Sequence, residues 1–183
     1  MTTTTPEVFT GGQKALMAQE AVHATRQYAP GTVPGLLQTP DYARAVADAL
    51  PHLGPDREDH FRLRMARGRQ LRELTHLRHQ FILGAAVHDH APHTPLMDAQ
   101  RAHLADLDRF GHIDIRVRPA GVVLTDPTGF TIRAGSVWIE AGDLYFTGSG
   151  DVRKWVGEWG RLWEEAVPLA DYQQERPGAK LPE

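Results

Sequence analysis

Apolar residues recur at three- and four-residue intervals in five segments of the chain, a pattern that predicts five helices. The first is predicted over residues 13–28, and its apolar face consists of Met17, Ala21, Ala24 and Tyr28. The next three are predicted over residues 40–50, 57–77 and 94–110. The last begins at residue 151, and its apolar stripe consists of Trp155, Trp159, Leu162, Trp163 and Ala166. Each amphipathic pattern indicates a helix that packs one face on a core.

Five other segments have the pattern of β-strands. Residues 80–87 form a continuous apolar run that is short enough for a buried strand, and residues 113–118 alternate apolar with charged side chains. Three short strands at residues 130–133, 137–140 and 144–147 are separated by glycine-containing turns, which indicates an antiparallel meander. The predicted fold class is therefore α+β, with N-terminal helices, a mixed to antiparallel sheet of about five strands, and a closing C-terminal amphipathic helix.

The length of 183 residues suits one domain with a substantial core. Residues 1–12 are rich in Thr, Pro and Gly and are predicted to be a flexible N-terminus. Residues 13–172 are predicted to form a single α+β domain, and residues 173–183 a flexible tail. We interpret Met1 as the start of a whole gene product.

The segment from Val33 to Ala45 contains two strong local signals. The Pro-Gly pair at residues 34–35 predicts a sharp turn, because proline fixes φ and glycine tolerates unusual conformations. Thr39 is predicted to cap a helix that begins at Pro40. The intervening Leu36 and Leu37 are expected to be buried in the core or in contact with a ligand.

Composition excludes several classes of function. The net charge of −3 gives no electrostatic argument for direct nucleic-acid binding. The chain contains no cysteine, which excludes disulfides, thiolate catalysis and cysteine-based zinc sites. It also has no apolar run long enough to span a membrane, so we expect a cytoplasmic protein without membrane contact.

The order of motifs resembles that of a known family. The residues that carry the resemblance are Glu20 and Ala21, Tyr28 before Pro30, the Val-Pro-Gly-Leu-Leu-Gln-Thr run at residues 33–39, and Tyr42-Ala43-Arg44. Looser matches are Arg64-Met65-Ala66-Arg67, Met97 with Gln100, Arg116-Val117-Arg118-Pro119, Gly129-Phe130 and Trp138-Ile139-Glu140. Together they resemble the Scmp-type effector-binding domain, a domain of unknown function that follows the helix-turn-helix in actinobacterial XRE-family regulators. The resemblance covers about residues 15–170.

The resemblance implies that residues 13–172 form a ligand-binding-type domain that takes a small hydrophobic or polar metabolite. It implies that the rim or floor of the pocket includes Leu36, Leu37 and Gln38. Three departures from the family pattern stand out. No helix-turn-helix precedes the first predicted helix, Gly84-Ala85 replaces an acidic pair, and Arg67-Gly68 replaces Arg-Gln.

Several polar residues are candidates for a binding site. Arg64 and Arg67 are three residues apart on one predicted helix and are expected either to clamp an anion or to pair with neighbouring acidic residues. Glu20, Gln38, Tyr42 and Gln100 lie on otherwise apolar faces and are expected either to contact a ligand or to bond the backbone of the loop at residues 33–39. Trp138 is a further candidate ligand contact.

Histidines are concentrated between residues 88 and 93. On an extended strand His88 and His90 would face the same side, where they could bind a metal with His93 or act as bases beside Asp89. The alternative is a polar loop with solvated histidines, and no metal site or cofactor is predicted.

Two functions are compatible with these features. The first is an effector-binding domain without its own DNA-binding part, which acts through a small regulator protein or by holding a metabolite. The second is a cofactor-free cyclase or isomerase of actinobacterial secondary metabolism, with Glu20, Tyr42, His88 and His90 as catalytic candidates. A homodimer is one option for its assembly.

Overall fold

The computed structural model describes residues 18–50, 57–89, 94–120, 129–141, 144–147 and 151–175. Within these residues, seven strands form one mixed sheet in the order β6-β5-β4-β1-β2-β3-β7. The strands are β1 (Arg26–Ala29), β2 (His79–Gly84), β3 (Ile113–Arg118), β4 (Gly129–Arg133), β5 (Ser136–Ala141), β6 (Leu144–Thr147) and β7 (Val167–Pro168). The α+β class is confirmed. The five predicted strands correspond to β2 to β6, and the sheet contains β1 and β7 in addition.

The sheet has a parallel part and an antiparallel part. Strands β1, β2 and β3 are parallel neighbours, and β4 pairs antiparallel with β1. Strands β4, β5 and β6 form the predicted meander. Ala134 and Gly135 connect β4 to β5 with φ angles of 52° and 71°. A type I′ turn requires positive φ at both of its central residues, and its twist matches that of the two strands that it joins.

The prediction of a helix over residues 13–28 is wrong at its C-terminal end. Among residues 18–28, helical conformation is confined to residues 18–20. Arg26–Ala29 forms β1 at the centre of the sheet. Tyr28 is 2% exposed there and lies between Ile82 of β2 and Phe130 of β4. Pairing on both sides satisfies the backbone of this strand, and such tertiary contacts override a sparse helical pattern.

Six helices follow in the described residues. They are α1 (Pro40–Ala49), α2 (Arg57–Glu73), α3 (Ala85–Asp89), α4 (Pro95–Asp108), α5 (Val152–Glu165) and α6 (Leu169–Gln174). The predicted cap of α1 is confirmed, and α4 begins with a cap of the same kind. The Thr39 hydroxyl accepts from the Tyr42 amide at 3.2 Å, and the Thr94 hydroxyl accepts from the Met97 amide at 3.3 Å.

The strand predicted over residues 80–87 ends early, and its last residues belong to α3. Gly84 ends β2 at a point of close backbone approach, because a Cβ added there would lie 2.4 Å from the carbonyl oxygen of Pro30. No side chain fits at this position without a backbone shift, and this close packing explains why residue 84 is glycine. Helix α6 was not predicted.

Each face of the sheet has its own core. One face packs on the loop at residues 33–37 and on helices α2, α3, α4 and α6, with Phe81, Leu83, Ile115 and Val117 as sheet residues. The other face packs on α5. Its members are Tyr28, Ile82, Phe130, Ile132, Val137, Trp159, Leu162 and Ala166, with Trp155 and Trp163 at the margin. The predicted stripe of α5 is confirmed.

Candidate ligand-binding site

The loop at residues 33–39 is fixed by side-chain amides. Gln100 is fully buried in α4, where its Nε2 donates to the carbonyl of Leu37 and its Oε1 accepts from the Thr39 amide, both at 2.8 Å. Gln38 Nε2 donates to the carbonyl of Val33 at 2.8 Å. Both glutamines therefore use their amide groups on the backbone of the loop.

Tyr42 and the two leucines complete this fixed loop. The Tyr42 hydroxyl accepts from the Val33 amide at 3.4 Å. A single turn of 3-10 helix at Gly35–Leu37 directs Leu36 and Leu37 into the core, where they are 3% and 0% exposed. The leucines therefore stabilise the loop by burial, and the polar residues around them bond its backbone.

Helix α2 carries two buried arginines toward the sheet. Arg64 Nη1 donates to Gln38 Oε1 at 3.2 Å, and its chain lies against Gly35. One turn later Arg67 binds Glu20 through two bonds, from Nε to Oε2 at 2.8 Å and from Nη2 to Oε1 at 2.6 Å. The helix therefore contacts the loop and the segment before β1 with adjacent turns.

Glu20 is shared by a second arginine. Arg133 Nη2, at the end of β4, donates to Glu20 Oε1 at 2.9 Å, and Arg133 Nε donates to the Thr25 hydroxyl at 3.1 Å. Glu20 is 3% exposed, and both arginines are buried as well. The result is an Arg-Glu-Arg cluster that joins α2, the segment before β1, and β4.

The sheet beneath this cluster is polar. Gln27 of β1, Thr131 of β4 and Trp138 of β5 are direct cross-strand neighbours, and Arg133 lies two residues along β4 on the same side. We call these four residues the polar face. They lie on the same side of the sheet as Phe81 of the aliphatic core, with which Gln27 pairs in register. One half of this side is thus aliphatic and the other half polar.

Two side chains near this half retain unused hydrogen-bonding groups. The Trp138 indole Nε1 is buried and has no hydrogen-bond partner among the described residues. His79, at the start of β2, is 1% exposed, and neither ring nitrogen has a partner within the described part of the chain. Burial, with further contributions from His112 and Arg133, lowers the pKa of His79 to about 4. Its imidazole is therefore neutral near pH 7, with one donor and one acceptor.

His88 lies elsewhere. It is buried in α3, where its ring packs edge-on against Tyr172 and its Nε2 lies 3.4 Å from Gln173 Nε2. The extended geometry expected for residues 88–90 is wrong for His88, because the chain there is helical. His90 and His93 lie outside the described residues.

Comparison with known protein families assigns the chain to one of them. One family matches residues 13–171, and its description is Domain of unknown function (DUF5753). The chain belongs to the DUF5753 family. No curated protein and no solved structure matches the chain. The match places the Arg-Glu-Arg cluster and the polar face inside the DUF5753 domain.

The structure of this DUF5753 domain brings some predicted residues together and leaves others apart. Glu20 and Arg67 are in direct contact, Gln38 contacts Arg64, and Trp138 lies in the polar face. Among the catalytic candidates, Glu20 precedes β1 at the amino ends of the parallel strands, whereas His88 follows the carboxyl end of β2. Tyr42 bonds the loop. These groups do not form one constellation.

Five polar residues of the site were not predicted, namely Thr25, Gln27, His79, Thr131 and Arg133. A polar residue inside a strand pattern indicates the solvent side when only the sequence is read. Here Gln27, Thr131 and Arg133 are polar residues on the inward side. The signal that would have found them is the register between β1 and β4, which no local pattern contains.

A surface groove lies apart from the polar face. It has a volume of about 470 Å³ between α4 and α6. Its lining residues are Ala105, Asp108, Arg109, Leu169, Ala170, Gln173 and Gln174, none of which was predicted. Burial raises the pKa of Asp108, whose Oδ1 accepts from the Ile115 amide at 2.9 Å.

The described residues also bear on metal ligation and on membrane insertion. No three His, Asp or Glu side chains within the described ranges cluster closely enough to hold a metal ion. None of the described helices combines the length and the apolar character that crossing a bilayer requires.

Proposed function

We propose that this DUF5753 domain binds a small-molecule effector on the polar face, beneath α2. The observation that carries the proposal is the convergence of buried polar side chains on one half of an otherwise apolar sheet side. Gln27, Thr131 and Arg133 are each at most 6% exposed, and Arg133 bonds Glu20, which in turn binds Arg67. Buried polar groups cost free energy unless they are bonded, so a concentration of them favours a binding site over a simple core.

The unused groups of Trp138 and His79 support the same proposal. Buried donors and acceptors are satisfied in most proteins, and each exception requires an explanation. A ligand that accepts a hydrogen bond from the Trp138 indole would supply one missing partner. Trp138 is only partly buried and lies on β5, the middle strand of the meander, which is the side from which we propose that a ligand enters.

The wider role we propose is that of a sensor. The motifs around residues 20–44 resemble the effector-binding part of XRE-family regulators, and the loop at residues 33–39 is linked to the polar face through α2. A metabolite on the polar face would therefore change the contacts of Arg64 with Gln38 and the loop. A small regulator protein is the partner we propose for this response.

The enzyme hypothesis has weaker support. A general acid–base mechanism requires its groups within hydrogen-bond reach of one substrate. Glu20 is held by two arginines, and His88 packs on Tyr172 beyond the opposite end of β2. The binding function is therefore the one that the geometry favours.

The test is a thermal-shift screen of a metabolite library, with native mass spectrometry to detect ligands that co-purify. Compounds that raise Tm are then titrated against Trp138→Phe, which loses the indole donor, and Thr131→Val, which loses the hydroxyl at constant shape. We expect each variant to weaken binding about tenfold, the effect of one lost hydrogen bond.

The matched control is Trp155→Phe on α5, which packs on the opposite face of the sheet. We expect this variant to bind like the wild type. If hits bind all three variants with the wild-type Kd, the polar face is not the site.

A further inference from the structure

The arginines around Glu20 have the geometry of a carboxylate-binding site. Its two oxygens receive two bonds from Arg67 and one from Arg133, at 2.6 to 2.9 Å. The two parallel hydrogen bonds from Arg67 have the fork geometry by which a guanidinium recognises a carboxylate, whether the acid belongs to the protein or to a ligand. Two arginines from different elements thus converge on one small acidic group.

The two arginines are positioned by contacts other than Glu20. Arg133 is fixed in β4 by strand pairing with β5 and by its bond to the Thr25 hydroxyl. Arg67 projects from the middle of the 17-residue helix α2, one turn after Arg64. The site is therefore set by the sheet and by α2, and the carboxylate that fills it comes from outside both.

The segment that carries Glu20 is a short connection. Residues 21–25 join it to β1, and Val22, His23 and Ala24 are exposed, with Val22 at 63%. Their main-chain contacts include two bonds back to the Gln19 carbonyl. Thr25, at the end of this connection, is fully buried, its carbonyl accepts from the Gln80 amide at 2.8 Å, and its hydroxyl accepts from Arg133. Release of Glu20 would therefore move the surface turn at residues 20–24 and leave Thr25 and the sheet in place.

We infer that Glu20 is an internal occupant of this site, and that the effector carries a carboxylate which replaces Glu20 between Arg67 and Arg133. The inference rests on the proposed function and adds the ligand class to it. The remainder of such a ligand would lie along Gln27, Thr131 and Trp138, the next row of the polar face. Release of Glu20 and its surface turn would then be the first structural consequence of binding.

The first experiment is chemical rescue of Glu20→Ala with propionate, whose carboxylate takes the place of the one that the substitution removes. Tm is measured in sodium propionate, in sodium chloride of equal ionic strength, and in propionamide. At ten times its Kd, propionate is expected to raise the Tm of Glu20→Ala by about 4 °C, with no comparable rise in the other two solutions.

Two variants control this experiment. Glu20→Gln fills the same space with an uncharged amide, so propionate is expected to leave its Tm unchanged. Arg67→Met in the Glu20→Ala background removes the fork and is expected to abolish the rescue. If Glu20→Ala is unfolded in sodium chloride, the same binding is measured by refolding. The yield of refolded Glu20→Ala in sodium propionate is then compared with its yield in sodium chloride.

The second experiment measures competition, with 3-phenylpropionate and its amide as the probes. Glu20→Ala is expected to bind the acid about tenfold more tightly than the wild type, because the internal carboxylate no longer competes. The amide is expected to show no such preference.

Two results would overturn the inference: equal propionate stabilisation of Glu20→Ala and Glu20→Gln, or equal affinity of wild type and Glu20→Ala for 3-phenylpropionate. Effectors that depend on Trp138 and Thr131 but contain no acidic group would also overturn it. In that case the proposed function stands. Failure of the proposed function is read separately, from the Trp138→Phe and Thr131→Val titrations.

Discussion

At the scale of single residues, His79 shows how burial changes chemistry. The imidazole is almost fully buried at the start of β2, and the charged or titratable groups that act on its pKa are His112, Arg133, Glu20 and His76. Burial disfavours the charged form, and this cause is larger than the attraction of Glu20. His79 is consequently a neutral hydrogen-bonding group beside the Arg-Glu-Arg cluster.

The depressed pKa of His79 predicts a loss of stability in acid. Between pH 6.5 and about 4 the unfolded chain binds a proton at His79 while the folded chain does not. Stability from this residue is therefore complete above pH 6.5 and falls as the pH falls through that window, by up to about 1.4 kcal/mol per pH unit. Urea unfolding at several pH values from 7.5 to 4.5 measures the slope.

The expected comparison is with His79→Leu, whose stability should depend less steeply on pH across this range. His23→Leu, which removes an exposed imidazole, is the control and should keep the wild-type slope. If His79→Leu and the wild type show the same slope, His79 does not titrate as described.

At the scale of elements, two helices bond the loop at residues 33–39, one through its backbone and the other through a side chain. Gln100 of α4 bonds the loop backbone at Leu37 and Thr39, and Arg64 of α2 holds the Gln38 side chain. The loop is therefore the point at which α2 and α4 meet. Its sequence predicted the turn and the cap, because these are set by neighbours along the chain, and gave burial as one of two alternatives for the leucines.

Gln100→Leu is expected to destabilise the protein by about 2–4 kcal/mol, because it leaves the Leu37 carbonyl and the Thr39 amide without their partner. The free energy of unfolding in urea measures the effect. Gln174→Leu, at an exposed position of α6, is the matched control and should change stability by less than about 0.5 kcal/mol. Equal losses in the two variants would show that the loop does not depend on Gln100.

The elements that were mispredicted share a physical cause. Residues 26–29 became β1 because β2 and β4 flank them, and residues 85–87 became helical because the chain turns away after Gly84. Both outcomes depend on partners that are distant in sequence. Local spacing predicted the helices with caps and the meander with its glycine turns, where no distant partner decides the conformation.

At the scale of the whole molecule, the site depends on pairing across long stretches of sequence. Glu20 meets Arg67 and Arg133, and Gln27 meets Thr131 and Trp138. Sequence reasoning named Glu20, Arg67 and Trp138 separately, through the resemblance and through their position on apolar faces. It could not bring them to one surface, because that requires β1 to lie between β2 and β4.

The two candidate binding sites of the DUF5753 domain make different predictions for the protein as a whole. Binding on the polar face would order the antiparallel half of the sheet together with α2. Binding in the groove near Asp108 would instead order α4 and α6, which pack near β3 and β7 at the other end of the sheet. Hydrogen exchange separates these cases, because bound ligands slow the opening of the elements they contact.

The most direct test of the central claim is hydrogen–deuterium exchange of the wild-type protein with and without the best compound from the thermal-shift screen. We predict slower exchange in residues 26–29, 57–73 and 129–141, and unchanged exchange in residues 95–108 and 169–174. Protection confined to residues 95–108 and 169–174 would contradict the account and assign the ligand to the groove.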